Sequence, residues 1–356
     1  MVTAKKTKSV FALSKSFLTT EKLPIVYGPE HDSSKEGLIE WFLENQKEWT
    51  RDLSLYGAIL IRGFDIKTPK DFEEVALATK DKLGQFYLGT SPRDQLTDYV
   101  FTASELPPHY PIMQHAEMSF LDNPPKKLFF FAEIASEFGG ETPLTDLRKI
   151  YKVIDPSIKE KITKKGIRYR RRYDGPSSQS RFSLWKTKRW DEMFNTSDIK
   201  QVEAIAKENR FQLEWYGKDS LAITNTQSGF RNHPKLASTA WHNHTQTFHI
   251  DSAVIEVWKI FKRQKTLRSL GVALLLSAIT WIKKLGNPKE FDVHVTYGDG
   301  EEFSKKEIES ICNAFWDNLS AFRWQNGDVL IIDNFSVSHG RLPFTGNRRI
   351  LVSWTA

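Results

Sequence analysis

A β-sandwich of the jelly-roll kind, mainly β with flanking helices (α+β), is the fold this sequence predicts. Three features point there. Helical periodicity is confined to a few stretches, most of them early, while short β-type runs dominate the remainder. The turn pair Asn326-Gly327 leads into the apolar run Val329-Leu330-Ile331-Ile332, which reads as a buried strand. No internal repeat, low-complexity tract or Pro/Gly/Ser linker divides the 356 residues, which favours one continuous domain. A few helices on the outside of a sandwich is the layering this order fits.

In chain order, residues 1–25 form an expected flexible lead-in, basic through Lys5, Lys6, Lys8 and Lys15, and residues 26–356 the domain. No charged-then-apolar leader opens the chain, so the cytoplasm is the expected compartment. Leu38, Trp41, Phe42, Gln46 and Trp49 share a face and predict a helix over Gly37–Leu53; Pro69–Leu83 and Lys306–Leu319 have the same period. Strands are expected at Gly57–Arg62, Lys127–Ile134, Gly166–Tyr173, Phe291–Tyr297, Val329–Asp333 and Arg349–Thr355, with Gly139-Gly140 and Gly298-Asp299-Gly300 closing strand ends. The apolar run Leu270–Ile282 is too short to span a membrane. It sits in a helical insertion near 262–286, expected to pack as a buried helix on the sandwich or on a second copy. The sharper reading is a lid or interfacial helix touching a membrane or a lipid-like substrate.

Composition narrows the function classes. With 40% hydrophobic, 13% aromatic and 27% charged residues the chain is globular. A single cysteine, Cys312, excludes an intramolecular disulfide and any multi-cysteine metal cluster. The net charge of +7 is spread thinly, except between Lys161 and Arg172, where seven basic residues meet no acid.

Chemistry enters with the nine histidines. In Gln114-His115-Ala116-Glu117-Met118, side chains two apart on an extended backbone point to one side, so His115 and Glu117 can grip one metal ion. His339, in Ser338-His339-Gly340-Arg341 after the apolar strand, can supply a third ligand. Two imidazoles and one carboxylate on one octahedral face is the set used for non-haem Fe(II) that activates O2. A lone His-x-Glu pair is weak, but Thr142 and the pair Arg348-Arg349 add what a keto diacid needs: a hydroxyl donor and a guanidinium that forks a carboxylate.

These strings resemble the TauD/TfdA family of Fe(II)- and 2-oxoglutarate-dependent dioxygenases, in its SyrP-like and clavaminate-synthase-like branch. The resemblance runs through Tyr56-Gly57-Ala58-Ile59-Leu60-Ile61-Arg62-Gly63-Phe64, Thr90-Ser91-Pro92-Arg93, Ser104-Glu105-Leu106-Pro107, His115-Ala116-Glu117-Met118-Ser119-Phe120, Gly139-Gly140-Glu141-Thr142-Pro143-Leu144, Trp241-His242-Asn243, Val295-Thr296-Tyr297-Gly298-Asp299-Gly300, Trp324-Gln325-Asn326-Gly327-Asp328 and His339-Gly340-Arg341. It implies a distorted double-stranded β-helix (jelly roll, cupin-like), with Fe(II), 2-oxoglutarate and O2 as cofactor and cosubstrates and succinate and CO2 released. It also implies that His115, Glu117 and His339 are the catalytic iron ligands. Arg349 is the preferred clamp for the distal carboxylate of 2-oxoglutarate, Arg348 its replacement if the register differs by one, and Thr142 a hydrogen-bond partner of the cosubstrate. Halogenating relatives replace the carboxylate ligand by a small residue; Glu117 therefore points to hydroxylation or a related oxidation.

The expected substrate is a small or carrier-tethered amino-acid-like metabolite of secondary biosynthesis. Arg170 and Arg172, which alternation puts on one strand face, are candidate anion contacts, against a solvated basic face as the plainer reading. His242 and Asn243 are candidate pocket residues; a second metal at His242 and His244 lacks a completing ligand before Asp251. The arginine stretch is too short for a nucleic-acid interface. Membrane contact through 262–284 is the less favoured reading, and a homo-oligomer is compatible with the sequence. Alternatives from other classes are a zinc-dependent hydrolase using the same ligands and a non-catalytic sandwich protein.

Overall fold

The computed structural model describes residues 11–89, 91–103, 106–177 and 188–356. Residues 1–10 of the lead-in, and Thr90, Ser104 and Glu105 of the motif strings, lie outside them. Two sheets make the sandwich. The larger has seven strands in the order Leu13–Phe17, Ile25–Pro29, Ala58–Ile61, Val329–Asp333, Lys127–Ile134, Arg349–Trp354, Phe101–Thr102. The smaller has Ser320–Phe322, Thr142–Asp146, Val337–Arg341 and Ile112–His115.

The run Val329–Asp333 is apolar throughout because both of its faces are covered. Leu330 and Ile332 enter a core shared with Leu144, Phe322 and Val337 of the smaller sheet. Val329 and Ile331 enter a second core with Phe42, Trp49 and Phe72 from the helices outside. The structure thus has the jelly-roll layering the sequence predicts.

Three expectations change. The predicted helix Gly37–Leu53 is two helices, Lys35–Glu44 and Gln46–Tyr56. Asn45 ends the first by donating its backbone N–H and its Nδ2 to the Trp41 carbonyl (2.8 and 3.0 Å), so Gln46 starts a new helix instead of sharing the buried face. The lead-in is not loose throughout: Leu13–Phe17 pairs antiparallel with Ile25–Pro29, and Lys15 meets Asp52 at 2.6 Å. The helix predicted over Pro69–Leu83 stops at Ala78, after opening on a Thr68/Asp71 capping box.

Between Thr142–Asp146 and Ser320–Phe322 the chain inserts a further sheet, ordered Gln212–Tyr216, Ser220–Gln227, Ile167–Tyr173, Val293–Tyr297, and a helical hairpin of Ser252–Gln264 and Leu267–Lys284. The second hairpin helix is buried on one side only. Ala273 and Leu276 pack on Val257, whereas Leu274, Leu275, Trp281 and Ile282 are exposed. Among the described residues, no helix is long and apolar enough to cross a membrane.

Candidate metal centre

His115 ends the strand Ile112–His115, and His339 sits in the middle of the neighbouring strand Val337–Arg341, directly opposite it in the ladder. Cross-strand partners hold their side chains close; here the ring centroids are 4.5 Å apart. Glu117 lies past the strand end, so its direction is not set by strand alternation. Its Oε2 is 3.9 Å from His115 Nε2 and 3.8 Å from His339 Nε2, and one donor atom from each residue falls within 4.8 Å of the others. His115 Nδ1 is 2.9 Å from the Met113 carbonyl, to which it can only donate; this leaves the Nε2 lone pair for a cation. Burial, with His115, Arg93 and His244 nearby, holds the His339 imidazole well below its ordinary value and hence neutral. Two imidazole nitrogens and one carboxylate oxygen fit a divalent cation of the iron type.

What aims Glu117 is Asn334, just after the buried strand. Its Oδ1 accepts from the Glu117 backbone N–H (2.7 Å), and its Nδ2 donates to the carbonyls of Glu117 (2.9 Å) and Pro125 (2.8 Å). The carboxylate's oxygens are held as well. Tyr87 donates its hydroxyl to Oε1 (3.0 Å), and the buried Arg93 donates to Oε2 (3.2 Å) and to the Tyr87 hydroxyl (3.1 Å). The sequence assigns no role to Asn334, Tyr87 or Arg93. Arg93 stands in the Thr90–Arg93 motif string, which was the one available signal.

Thr142 is buried on the strand Thr142–Asp146. Its hydroxyl accepts from Trp324 Nε1 (2.9 Å), which leaves its own hydrogen free to donate. The two adjacent arginines, of which the sequence reading prefers Arg349, face opposite ways. The ladder slips between Arg349 and Ile350, and Arg349 turns outward to Glu133 (2.8 Å) with its side chain 46% exposed. Arg348 turns inward. Its guanidinium lies over Phe344 (5.5 Å), and its enclosed Nε has no hydrogen-bond partner among the described residues. Burial, with Arg341 beside it, pushes the Arg348 guanidinium down to about 9, so it stays a cation at neutral pH. Gly140, at φ +71°, leaves the space it occupies: a Cβ there would stand 3.1 Å from Arg348 Nε and 2.4 Å from Ser136 Oγ. An orphaned guanidinium with a hydroxyl donor on the adjoining sheet fits the carboxylate of a keto diacid.

His115 and Glu117 open into a cavity of about 370 Å³. Its wall includes Tyr87, Arg93, His115, Glu117, Phe120, His244 and Phe248, together with Val257, Leu276 and Ile279 of the helical hairpin. His242 and Asn243 do not line it. His242 stacks on Phe335 (5.3 Å), and Asn243 donates to the Gly229 carbonyl (2.8 Å), so the turn itself uses both. His244 takes the expected place, its ring 5.5 Å from that of His115. No second group of metal-binding side chains occurs around His242 among the described residues. Arg170 reaches Glu214 (3.4 Å) from a half-buried position, while Arg172 stacks on Tyr216 (4.4 Å) at the cavity edge. The arginine between them, Arg171, is the buried one.

Comparison with known proteins agrees with this geometry. Residues 29–354 match the family model described as taurine catabolism dioxygenase TauD, TfdA family. The dapdiamide synthesis protein DdaC of Enterobacter agglomerans is 33% identical over 93% of this chain and 92% of its own length. A clavaminate synthase-like protein of Arabidopsis thaliana is 30% identical over 83% and 81%. Among solved structures, PvcB from Pseudomonas aeruginosa has a TM-score of 0.50 at 12% identity, covering 100% of this chain and 94% of that one. AAD-2 in complex with Mn(II) and N-oxalylglycine has a TM-score of 0.50 at 13% identity, covering 97% of each chain.

Proposed function

Because the chain belongs to the TauD, TfdA family and is an Fe(II)- and 2-oxoglutarate-dependent dioxygenase, we propose that it hydroxylates an unactivated C–H bond of a small, amino-acid-like metabolite, free or carrier-tethered. The observation that carries the site assignment is the convergence of His115, Glu117 and His339 donor atoms within 4.8 Å, with His115 and Glu117 at the wall of the cavity. The synthesis protein DdaC, the relative at 33% identity, supports a biosynthetic substrate.

In this reading His115, Glu117 and His339 hold the iron, Arg348 forks the distal carboxylate of 2-oxoglutarate and Thr142 donates to the cosubstrate. Iron, O2 and 2-oxoglutarate together supply the oxidising chemistry, with succinate and CO2 as the products of the cosubstrate. The protein contributes position. Asn334 keeps the Glu117 backbone from swinging away, and Tyr87 and Arg93 restrict its carboxylate so that one oxygen stays turned to the imidazoles. Phe130, its ring 5.0 Å from that of His339, and the surrounding apolar core keep bulk water from the ligand face. A zinc hydrolase has no use for a guanidinium and hydroxyl placed to take a second carboxylate.

The test is anaerobic addition of Fe(II) and 2-oxoglutarate, watched for the weak visible charge-transfer band of the chelated keto acid. The band is expected in wild type and in Arg349→Ala, and lost or strongly weakened in Arg348→Ala and Glu117→Ala. Absence of the band in wild type, or its persistence in Glu117→Ala, overturns the reading.

A further inference from the structure

Other buried or half-buried arginines among the described residues are accounted for. Arg93 binds Glu117, Arg341 donates to the carbonyls of Pro107 and Tyr110, and Arg231 to those of Leu121 and Asp122. Arg348 waits for the cosubstrate. Arg171 is different. It is 0% exposed, on the central strand of the inserted sheet, yet its Nε and Nη1 have no hydrogen-bond partner among the described residues. Its Nη2 has only a long contact of 3.4 Å to Asn225 Oδ1. No carboxylate among the described residues lies within ion-pair distance. Two residues on, and so on the same strand face, Tyr173 is also buried, and among the described residues its hydroxyl has only the neighbouring Arg171 guanidinium to meet.

Both side chains line the same cavity as His115 and Glu117. Phe120 and Phe211 lie against the guanidinium, with ring centroids 4.1 and 5.0 Å from its central carbon. Such stacking covers the faces of a guanidinium and leaves the N–H donors at its edge unused. A buried cation with unused donors is costly unless something anionic completes it. Phe120 in turn packs on His244 (5.3 Å), and His244 on His115 (5.5 Å), so this unfilled donor set stands two ring contacts from the metal ligands.

We infer that Arg171, assisted by the Tyr173 hydroxyl, seats a carboxylate of the organic substrate, whose apolar part lies along Val257, Leu276 and Ile279 of the helical hairpin. The inference rests on the dioxygenase reading above and narrows its substrate class. A metabolite joined to a carrier through its single carboxyl group has no carboxylate left for Arg171. The substrate is therefore a free acid, or a diacid if tethered. Arg171 is a specificity residue for the acid, distinct from Arg348, which takes the cosubstrate.

The experiment compares N-acetyl-L-leucine with N-acetyl-L-leucinamide, two probes of the same shape that differ in the carboxylate. Binding is followed by ligand-observed NMR on the protein loaded with Mn(II) and saturating 2-oxoglutarate, which blocks the cosubstrate site. Wild type is expected to bind the acid at least about tenfold more tightly than the amide. Arg171→Met is expected to bind both alike and Arg171→Lys to fall between. The melting temperature of Arg171→Met without probe is expected to equal or exceed that of wild type, since an uncompensated buried cation is removed. Equal binding of acid and amide by wild type overturns the inference, as does discrimination retained in Arg171→Met. Should Arg171→Met fail to fold, Arg171→Lys and Tyr173→Phe give the same comparison, and undiminished discrimination in both overturns it. If Mn(II) and 2-oxoglutarate do not bind, the dioxygenase reading fails separately, and the acid–amide comparison is still read on the metal-free protein.

Discussion

The two ends of the cavity are finished to different degrees. At the metal end every polar atom of Glu117 is engaged: Oε1 by Tyr87, Oε2 by Arg93, and the backbone N–H and C=O by Asn334. At the far end Arg171 and Tyr173 are as deeply buried, but among the described residues Arg171 Nε and Nη1 have no hydrogen-bond partner. The metal end comes from the sandwich, where strand register brings His115 opposite His339. The other end comes from a sheet and hairpin inserted into that sandwich. The candidate iron ligands are fixed by the protein itself, whereas the two guanidiniums assigned to small molecules, Arg348 and Arg171, keep donors for those molecules to complete.

The comparison breaks most severely at the ligands. Glu117→Ala is expected to abolish Fe(II)-dependent conversion of 2-oxoglutarate to succinate while leaving the fold intact by circular dichroism. A variant that still forms succinate would remove the metal end from the chemistry. Next come the paired arginines. Arg348→Ala is expected to weaken 2-oxoglutarate binding by about 2–5 kcal/mol, whereas Arg349→Ala, which loses only an exposed pair with Glu133, changes it by less than about 1 kcal/mol. Titration calorimetry with Mn(II) present decides, and the opposite ranking would restore Arg349.

Asn334→Ala tests whether Glu117 needs its backbone held. Metal affinity is expected to fall by roughly 10–100-fold, measured by competition with a chromogenic chelator, and unchanged affinity would reduce Asn334 to a structural residue. The smallest effect concerns stability. Burial raises the Glu256 carboxyl to about 7, although Trp316 Nε1 donates to it at 2.6 Å. The folded state then binds a proton more tightly than the unfolded chain, whose Glu ionises near its ordinary value of 4.5. The stability this contributes is complete below that value and is lost as pH rises through about 7. Glu256→Gln is expected to flatten the decline in denaturant stability across that window and to be the more stable form above it. An unchanged pH slope would show that Glu256 does not titrate there.

Residue type and chain order made the ligand set legible, because His115, Glu117 and His339 need only their identities to be recognised. The buried strand Val329–Asp333 was legible for a similar reason: a run without polar residues has few other places to go. Contacts that depend on a slip or on sidedness were not. The choice between Arg348 and Arg349 turns on a ladder shift that adjacent identical residues cannot reveal. In Ile167–Tyr173 alternation separates Arg168, Arg170 and Arg172 from Arg171, but which set faces the core depends on what covers the sheet. Asn334 acts on Glu117 across most of the chain, a pairing that no local pattern contains.

The register of His339 against His115 has a consequence for folding. These residues come from distant parts of the chain, so a cation shared between them acts as a removable stitch across a very large loop. Bound only by the native state, it adds to native stability in proportion to its own chemical potential. Chelators should therefore lower the unfolding midpoint of this protein as well as silence it, and iron scarcity would leave a population that is more easily cleared as well as idle.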